Sequence, residues 1–285
     1  MLIFPRINRP QCVKSTAKFV GTATIWGPSK VGAVCTATHP TAPERNRWRI
    51  KRAQLTVWCR FLEAYRRDGL VTVVPWSLPL TVDVWPPRRD VVPDIHYFGQ
   101  LAALNDCLYR CLGRSSLAVF TDLDEILVPR SERDWTAMLD SVSRRYVPGP
   151  GSPFPGVYLF RSSFFRTDWP SDEEVPRAAV DRHLVSVAKT WRETRVYGWF
   201  ERSKFVVWTK AVTMVGVHSA LATMPGADTV QVDADVGLVH HYRLWFDDDR
   251  NPPLTDRSMH RFTDDIVARV LRQYSVIDYY SGRDV

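Results

Sequence analysis

The stretch LAVFTDLDEILVP, Leu117 to Pro129, constrains the fold of this 285-residue chain more than any other. It begins as an unbroken apolar run, the pattern of a strand buried on both faces rather than one alternating between core and solvent. Such a strand needs helices on both sides, which points to a layered α/β domain. The preceding residues supply one such helix: Tyr97, Leu101, Leu104, Leu108, Cys111 and Leu112 recur at helical spacing, and Gly113 closes the pattern. Upstream, Leu55, Trp58, Cys59, Leu62 and Tyr65 predict another amphipathic helix. Asp68-Gly69 stops it, and a β-branched strand follows from Leu70 to Trp76. The proline-rich residues 77–95 read as a loop. Beyond the central run, periodicity predicts a helix over Trp135–Tyr146 and a strand over Gly156–Phe165. A polar acidic loop follows over Thr167–Arg177. Strands are expected at Lys204–Trp208, Thr213–Val217 and Val236–Tyr242, and a closing helix over Phe262–Tyr274.

At the end of the apolar run stand three carboxylates, Asp122, Asp124 and Glu125. Packed together they repel and lose solvation, a cost that a divalent cation or a bound cationic side chain removes. In open α/β sheets ligands bind beyond the carboxyl ends of strands, where this cluster lies. Hard oxygen donors suit Mg²⁺ or Mn²⁺, ions that bridge protein carboxylates to substrate phosphates. On an extended segment Asp122 and Asp124 share one side and Glu125 takes the other. The D-x-D spacing recurs at Asp233/Asp235 and Asp247/Asp249, but in polar stretches that read as solvated turns. Context singles out the first.

The net charge of +7 would suggest nucleic acid. Its distribution says otherwise. Residues 1–52 hold ten basic side chains and one acid, leaving 28 basic and 30 acidic residues in the remainder. A basic leader therefore precedes a slightly acidic body, and no nucleic-acid partner is expected. The longest uncharged stretch, Ala211–Ala227, is too short and polar to span a membrane. MLIFPRINRP at the N-terminus carries no secretory pattern. Cys107 and Cys111, four apart on one helical face, are poorly placed to bridge each other.

GQLAALNDCLYR (Gly99–Arg110) followed by VFTDLDEILVPR (Val119–Arg130) resembles the central signature of glycosyltransferase family 92. GLVTVVPWSLP (Gly69–Pro79) precedes it, and FRSSFFRTDWP (Phe160–Pro170), RSKFVV (Arg202–Val207), MVGVH (Met214–His218) and VHHYR (Val239–Arg243) follow in order. The resemblance covers roughly residues 53–280. It implies a GT-A fold, a mixed sheet flanked by helices, with D-x-D carboxylates holding Mn²⁺ (or Mg²⁺) against a UDP-sugar diphosphate. It also implies a galactose-type donor, a glycan acceptor on glycoprotein or glycolipid, and the Golgi membrane or lumen.

Carried over residue by residue, Asp124, Asp122 and His241 become metal ligands, while Asp122, Glu125, Lys204 and Arg243 bind the donor. His240 faces away from His241 on a strand. An inverting transfer needs a base for the acceptor hydroxyl. Asp168, flanked by Phe165 and Trp169, is the candidate, its pKa expected to be raised by the aromatics. Asn105, Asp106 and Arg110 are expected to buttress the acidic strand. Residues 1–52 do not resemble the block with which the family opens its catalytic domain. The chain therefore divides into an atypical, poorly ordered or degenerate leader (1–52) and a catalytic domain (53–285) with an incomplete N-terminal part. The expectation is a metal-dependent inverting hexosyltransferase; the alternative is a catalytically inactive, glycan-binding relative.

Overall fold

The computed structural model describes residues 2–4, 21–22, 24–25, 32–35, 37–38, 65–67, 71–75, 79–81, 92–146, 154–175, 177–181, 184–244 and 252–281. Among these, strands β1 (Leu2–Phe4), β2 (Gly21–Thr22), β3 (Thr24–Ile25), β4 (Gly32–Cys35), β5 (Ala37–Thr38) and β6 (Val71–Pro75) precede the central helix, Gln100–Cys111. After it come β7 (Leu117–Phe120), β8 (Glu125–Pro129), the helix Trp135–Arg145, β9 (Phe154–Phe160) and β10 (Ser162–Arg166). Two short helices, Arg177–Asp181 and Val185–Ala188, lead to β11 (Trp191–Arg192) and β12 (Lys204–Trp208). The chain continues through β13 (Val212–Val215), β14 (Ala220–Thr223), β15 (Ala227–Val232), β16 (Gly237–Arg243) and β17 (Leu254–Thr255), then the helix Thr263–Ser281.

Two mixed five-stranded sheets organise these elements, in the orders β15-β9-β12-β7-β4 and β17-β11-β10-β16-β8. In the first, β12 runs antiparallel to both β7 and β9, while β4 and β15 join as parallel edges. β6 lies between β1 and β3, parallel to β1. The expectation of a mixed sheet flanked by helices is met.

The first sheet is buried on both faces, and strand alternation decides which side chain goes where. Ala118, Phe120, Val157, Leu159, Phe205 and Val207 pack with Ala103, Leu104, Cys107, Leu108 and Cys111 of the Gln100 helix. Val119, Tyr158, Phe160 and Val206 face the other way, onto Met138, Leu139 and Val142 of the Trp135 helix. Phe120 and Phe205 stack with centroids 5.1 Å apart. Each fully buried Phe or Leu contributes about 1.5–3 kcal/mol of transfer free energy, so this double-faced layer fixes where β7 ends. The Trp135 helix starts on Asp134, whose carboxylate accepts from the Ala137 N–H at 2.8 Å. It packs closely enough that a Cβ on Gly237 would meet Met138 Sδ at 2.7 Å.

The buried strand expected from Leu117 ends at Phe120, just ahead of the carboxylates as expected; the chain then turns and re-enters as β8 in the second sheet. Two expectations need correction. The expected strand Gly156–Phe165 likewise switches sheets at Arg161, giving β9 and β10. Asn105 does not support the acidic strand. Its amide exchanges hydrogen bonds with the Val215 backbone at 2.8 and 2.9 Å, clamping β13, while Asp106 and Arg110 form a surface ion pair. Of the predicted Leu55–Tyr65 helix only Tyr65 is described, within helical residues 65–67. Cys107 is disulfide-bonded, and not to Cys111, which is a buried, reduced cysteine.

Candidate functional site

The passage of the chain from one sheet to the other builds the site. Between β7 and β8, the Glu125 N–H donates to the Asp122 carbonyl at 3.2 Å, closing a turn. The Glu125 side chain folds back to accept from the Asp122 N–H at 3.0 Å. The turn abolishes the alternation expected for an extended segment. Asp122 and Glu125, predicted on opposite sides, converge; Asp124 points elsewhere.

They converge on Lys204. As the first residue of β12, antiparallel beside β7, Lys204 lies next to the end of that strand. Its Nζ lies 2.9 Å from Asp122 Oδ2 and 3.1 Å from Glu125 Oε2, with the Lys204 and Glu125 side chains only 3 % and 2 % exposed. Burial alone would depress the ammonium pKa; the two carboxylates outweigh it and hold Lys204 well above the ordinary lysine range. A cationic side chain thus neutralises two of the three carboxylates. Lys204, expected beside the diphosphate, is enclosed at this centre.

Asp124 faces His241. Register explains the approach: His241 of β16 is opposite Glu125 of β8, and the Tyr242 N–H donates to the Asp124 carbonyl at 2.7 Å. The Asp124 side chain is 51 % exposed; its Oδ2 lies 3.3 Å from His241 Nε2. Burial pushes the Asp124 carboxyl up, but contact with His241 and the charge of Arg243 hold it below its usual value. The His241 ring is 8 % exposed, and its Nδ1 sits 3.2 Å from Glu125 Oε1 without hydrogen-bond geometry. His240, the next residue, is turned into the core. It stacks on Phe165 at 3.9 Å and meets the Tyr242 hydroxyl at 3.1 Å, so β16 separates the two imidazoles as expected.

Around this pair lies an aromatic and cationic wall. Phe164 meets His241 and Tyr197 edge-on, each at 4.9 Å. The Arg202 guanidinium lies 5.2 Å from both the Phe164 and Tyr197 rings, and Arg243 lies 5.8 Å from Phe164. Tyr97, at the head of the Gln100 helix, adopts φ 43. Burial raises its phenol pKa, with the nearby Asp122 carboxylate adding to the shift and Arg243 opposing it. A non-glycine residue held at positive φ costs of order 1–3 kcal/mol, and such residues concentrate at functional sites. His218 closes the wall, its Nδ1 3.3 Å from the Ser203 carbonyl. Sequence reading missed Arg202 and Tyr97. Arg202 had a usable signal, since it lies two residues before Lys204 on a segment entering a strand. Tyr97 had none, because its helical spacing placed it in the core.

Among the described residues no group of three His, Cys, Asp or Glu side chains is arranged to hold a metal ion by itself. Asp124 and His241 nevertheless offer a carboxylate oxygen and an imidazole nitrogen at a partly open position. That donor pair fits Mg²⁺ or Mn²⁺, which keep water and substrate phosphates in their remaining positions. Asp122 and Glu125 are engaged by Lys204.

The acidic loop behaves differently from expectation. Asp168 makes a bidentate contact with Arg166, at 3.0 and 2.8 Å. That contact holds its carboxyl below the usual value, opposite to the rise expected from the flanking aromatics. A carboxylate so stabilised is a weak base. Asp172 is buried against Arg257, Nε to Oδ2 2.7 Å, and also accepts from Thr190 and the Glu174 N–H. Arg257 leads in lowering its pKa far below the carboxylate range. Its stabilising contribution is therefore complete above the ordinary value near pH 4 and lost as pH falls through the depressed one. Asp172→Asn is expected to flatten the acid limb of a urea-denaturation stability profile below about pH 4; an unchanged limb would contradict this assignment. Asp233 and Asp235 are exposed in the turn before β16, as expected, and Asp247 and Asp249 lie outside the described residues.

A model of glycosyltransferase family 92 matches residues 58–276. No curated protein matches the chain.

Proposed function

The chain belongs to glycosyltransferase family 92 and is a glycosyltransferase; from that premise we propose that it transfers a hexose, galactose by family resemblance, from a UDP-sugar to a glycan acceptor with inversion. The observation that carries this reading is the pair Asp124 and His241, 3.3 Å apart at the seam between the sheets and flanked by arginines. Asp124 and His241 would hold Mn²⁺ or Mg²⁺, which when bound offsets the negative charge of a diphosphate. Arg243 and Arg202 supply fixed positive charge where the UDP leaving group gains charge, an interaction strongest as the glycosidic bond breaks. Lys204 acts indirectly: it locks Asp122 and Glu125, and through Glu125 the turn that aims Asp124. No proton transfer is assigned to Asp168, given its Arg166 partner.

The compartment proposed with this activity, on family resemblance, is the Golgi lumen. The Cys107 disulfide supports an oxidising compartment of that kind. Among the described residues no helix is long and apolar enough to cross a membrane.

The test is UDP release from UDP-galactose by the whole chain, with and without Mn²⁺, in the presence of simple glycoside acceptors. Metal-dependent release with stoichiometric appearance of a β-linked product is expected. Retained binding of UDP-galactose or glycan without any release would favour the inactive relative instead.

A further inference from the structure

We infer that Phe200 is the acceptor platform of this site, its ring stacking on the apolar face of the sugar that receives the hexose; the inference rests on the transferase reading above. Phe200 is 52 % exposed and its backbone adopts φ 67. A single exposed phenylalanine is unremarkable. A bulky residue at positive φ that leaves about half of its surface in solvent gains only part of the burial that would offset the strained backbone. The conformation is nevertheless held from several directions. The Phe200 N–H donates to Ser203 Oγ at 3.1 Å, and the Gly198 N–H to Glu201 Oε2 at 3.3 Å. Arg195 in turn holds Glu201 at 2.9 Å. The adjacent Trp199 packs inward against the cluster under the Gln100 helix and carries the Arg161 guanidinium 5.5 Å from its ring. One aromatic anchors the turn, and the next is presented outward.

The turn is also at the right place. Ser203, which fixes Phe200, meets His218 through its carbonyl, and Lys204 follows it directly into the carboxylate centre. Arg202, between Phe200 and that centre, lies against Phe164, which touches His241. Phe200 therefore belongs to the turn that leads, through Arg202 and Ser203, into Lys204 and the carboxylate centre. A pyranose ring offers a face of C–H groups, and rigid aromatic surface with a few polar groups beside it is the usual lining for such a ligand.

The experiment uses the whole chain, UDP-galactose as donor, and methyl α-L-fucoside, methyl β-D-galactoside and methyl N-acetyl-β-D-glucosaminide as acceptors. For the acceptor used best, Phe200→Gly is expected to raise KM about tenfold, leaving kcat and the donor KM within about threefold. Its Tm should stay level or rise, because glycine adopts positive φ without strain. Phe200→Trp keeps the aromatic face and should retain an acceptor KM near the starting value. An unchanged acceptor KM in the glycine variant, or a Tm that falls with it, overturns the proposal. If the unaltered chain transfers galactose to none of the three acceptors, the transferase reading itself fails and the platform falls with it.

Discussion

Replacing Lys204 by methionine is expected to destabilise the protein by about 3–5 kcal/mol, chiefly the penalty for stranding the buried Glu125 carboxylate without its counter-charge. Glu125 is 2 % exposed, and Asp122 shares the same ammonium. The melting temperature should fall by about 10 °C or more. Because Lys204 has a raised pKa, the ion pairs stay at full strength below the ordinary lysine value near pH 10. They weaken only as pH climbs through the raised one. The deficit of the methionine variant should therefore be level between about pH 7 and 9. Combining Lys204→Met with Asp122→Asn and Glu125→Gln removes the stranded charges and should restore much of the loss, since apolar or neutral replacements of a whole buried ionic group are often tolerated. A methionine variant that melts with the parent protein would show that the centre is solvated and weak.

Asp124→Asn is expected to separate activity from folding in the opposite sense. The side chain is half exposed, so stability should change by no more than about 0.5–1 kcal/mol. Turnover should drop about 10²- to 10³-fold, the range seen when one preorganised electrostatic group is removed from a reacting centre. His241→Ala should cost a similar factor in rate, plus a modest loss of packing against Phe164. The informative measurement is UDP release across a Mn²⁺ titration, alongside thermal melts of the same preparations. If the Asp124→Asn and His241→Ala variants turn over at parental rates, the pair has no part in the chemistry and the proposed function loses its main support.

These contrasting outcomes follow from what the sequence could and could not disclose. The Gln100 helix and β7 were legible because their apolar patterns are long and the elements pack on both faces of one layer. That β16 turns its two imidazoles to opposite sides followed from strand alternation, whereas the choice of His241 over His240 came from the family resemblance. The end of β7 was legible from the polar TDLDE, but the turn at Leu123–Asp124 was not, because neither glycine nor proline marks it and the apolar ILV that follows gives no sign of a change of sheet. The need for a cation among three carboxylates was visible, but its identity was not, since Lys204 lies 82 residues from Asp122. β14 and β15 escaped because their partly exposed positions carry no clean period. Asp168 was chosen on its aromatic neighbours in sequence, whereas Arg166, two residues earlier, controls its charge.

The crossing of β7–β8 and β9–β10 between the sheets has a mechanical meaning. Lys204 belongs to one sheet, and Glu125 and His241 to the other. The ion-pair centre is thus a rivet through a joint, and the orientation of Asp124 reports how tightly that joint is closed. Small displacement of one sheet relative to the other would detune the reacting groups long before any helix or strand melted. Loss of function on gentle heating would then precede loss of secondary structure.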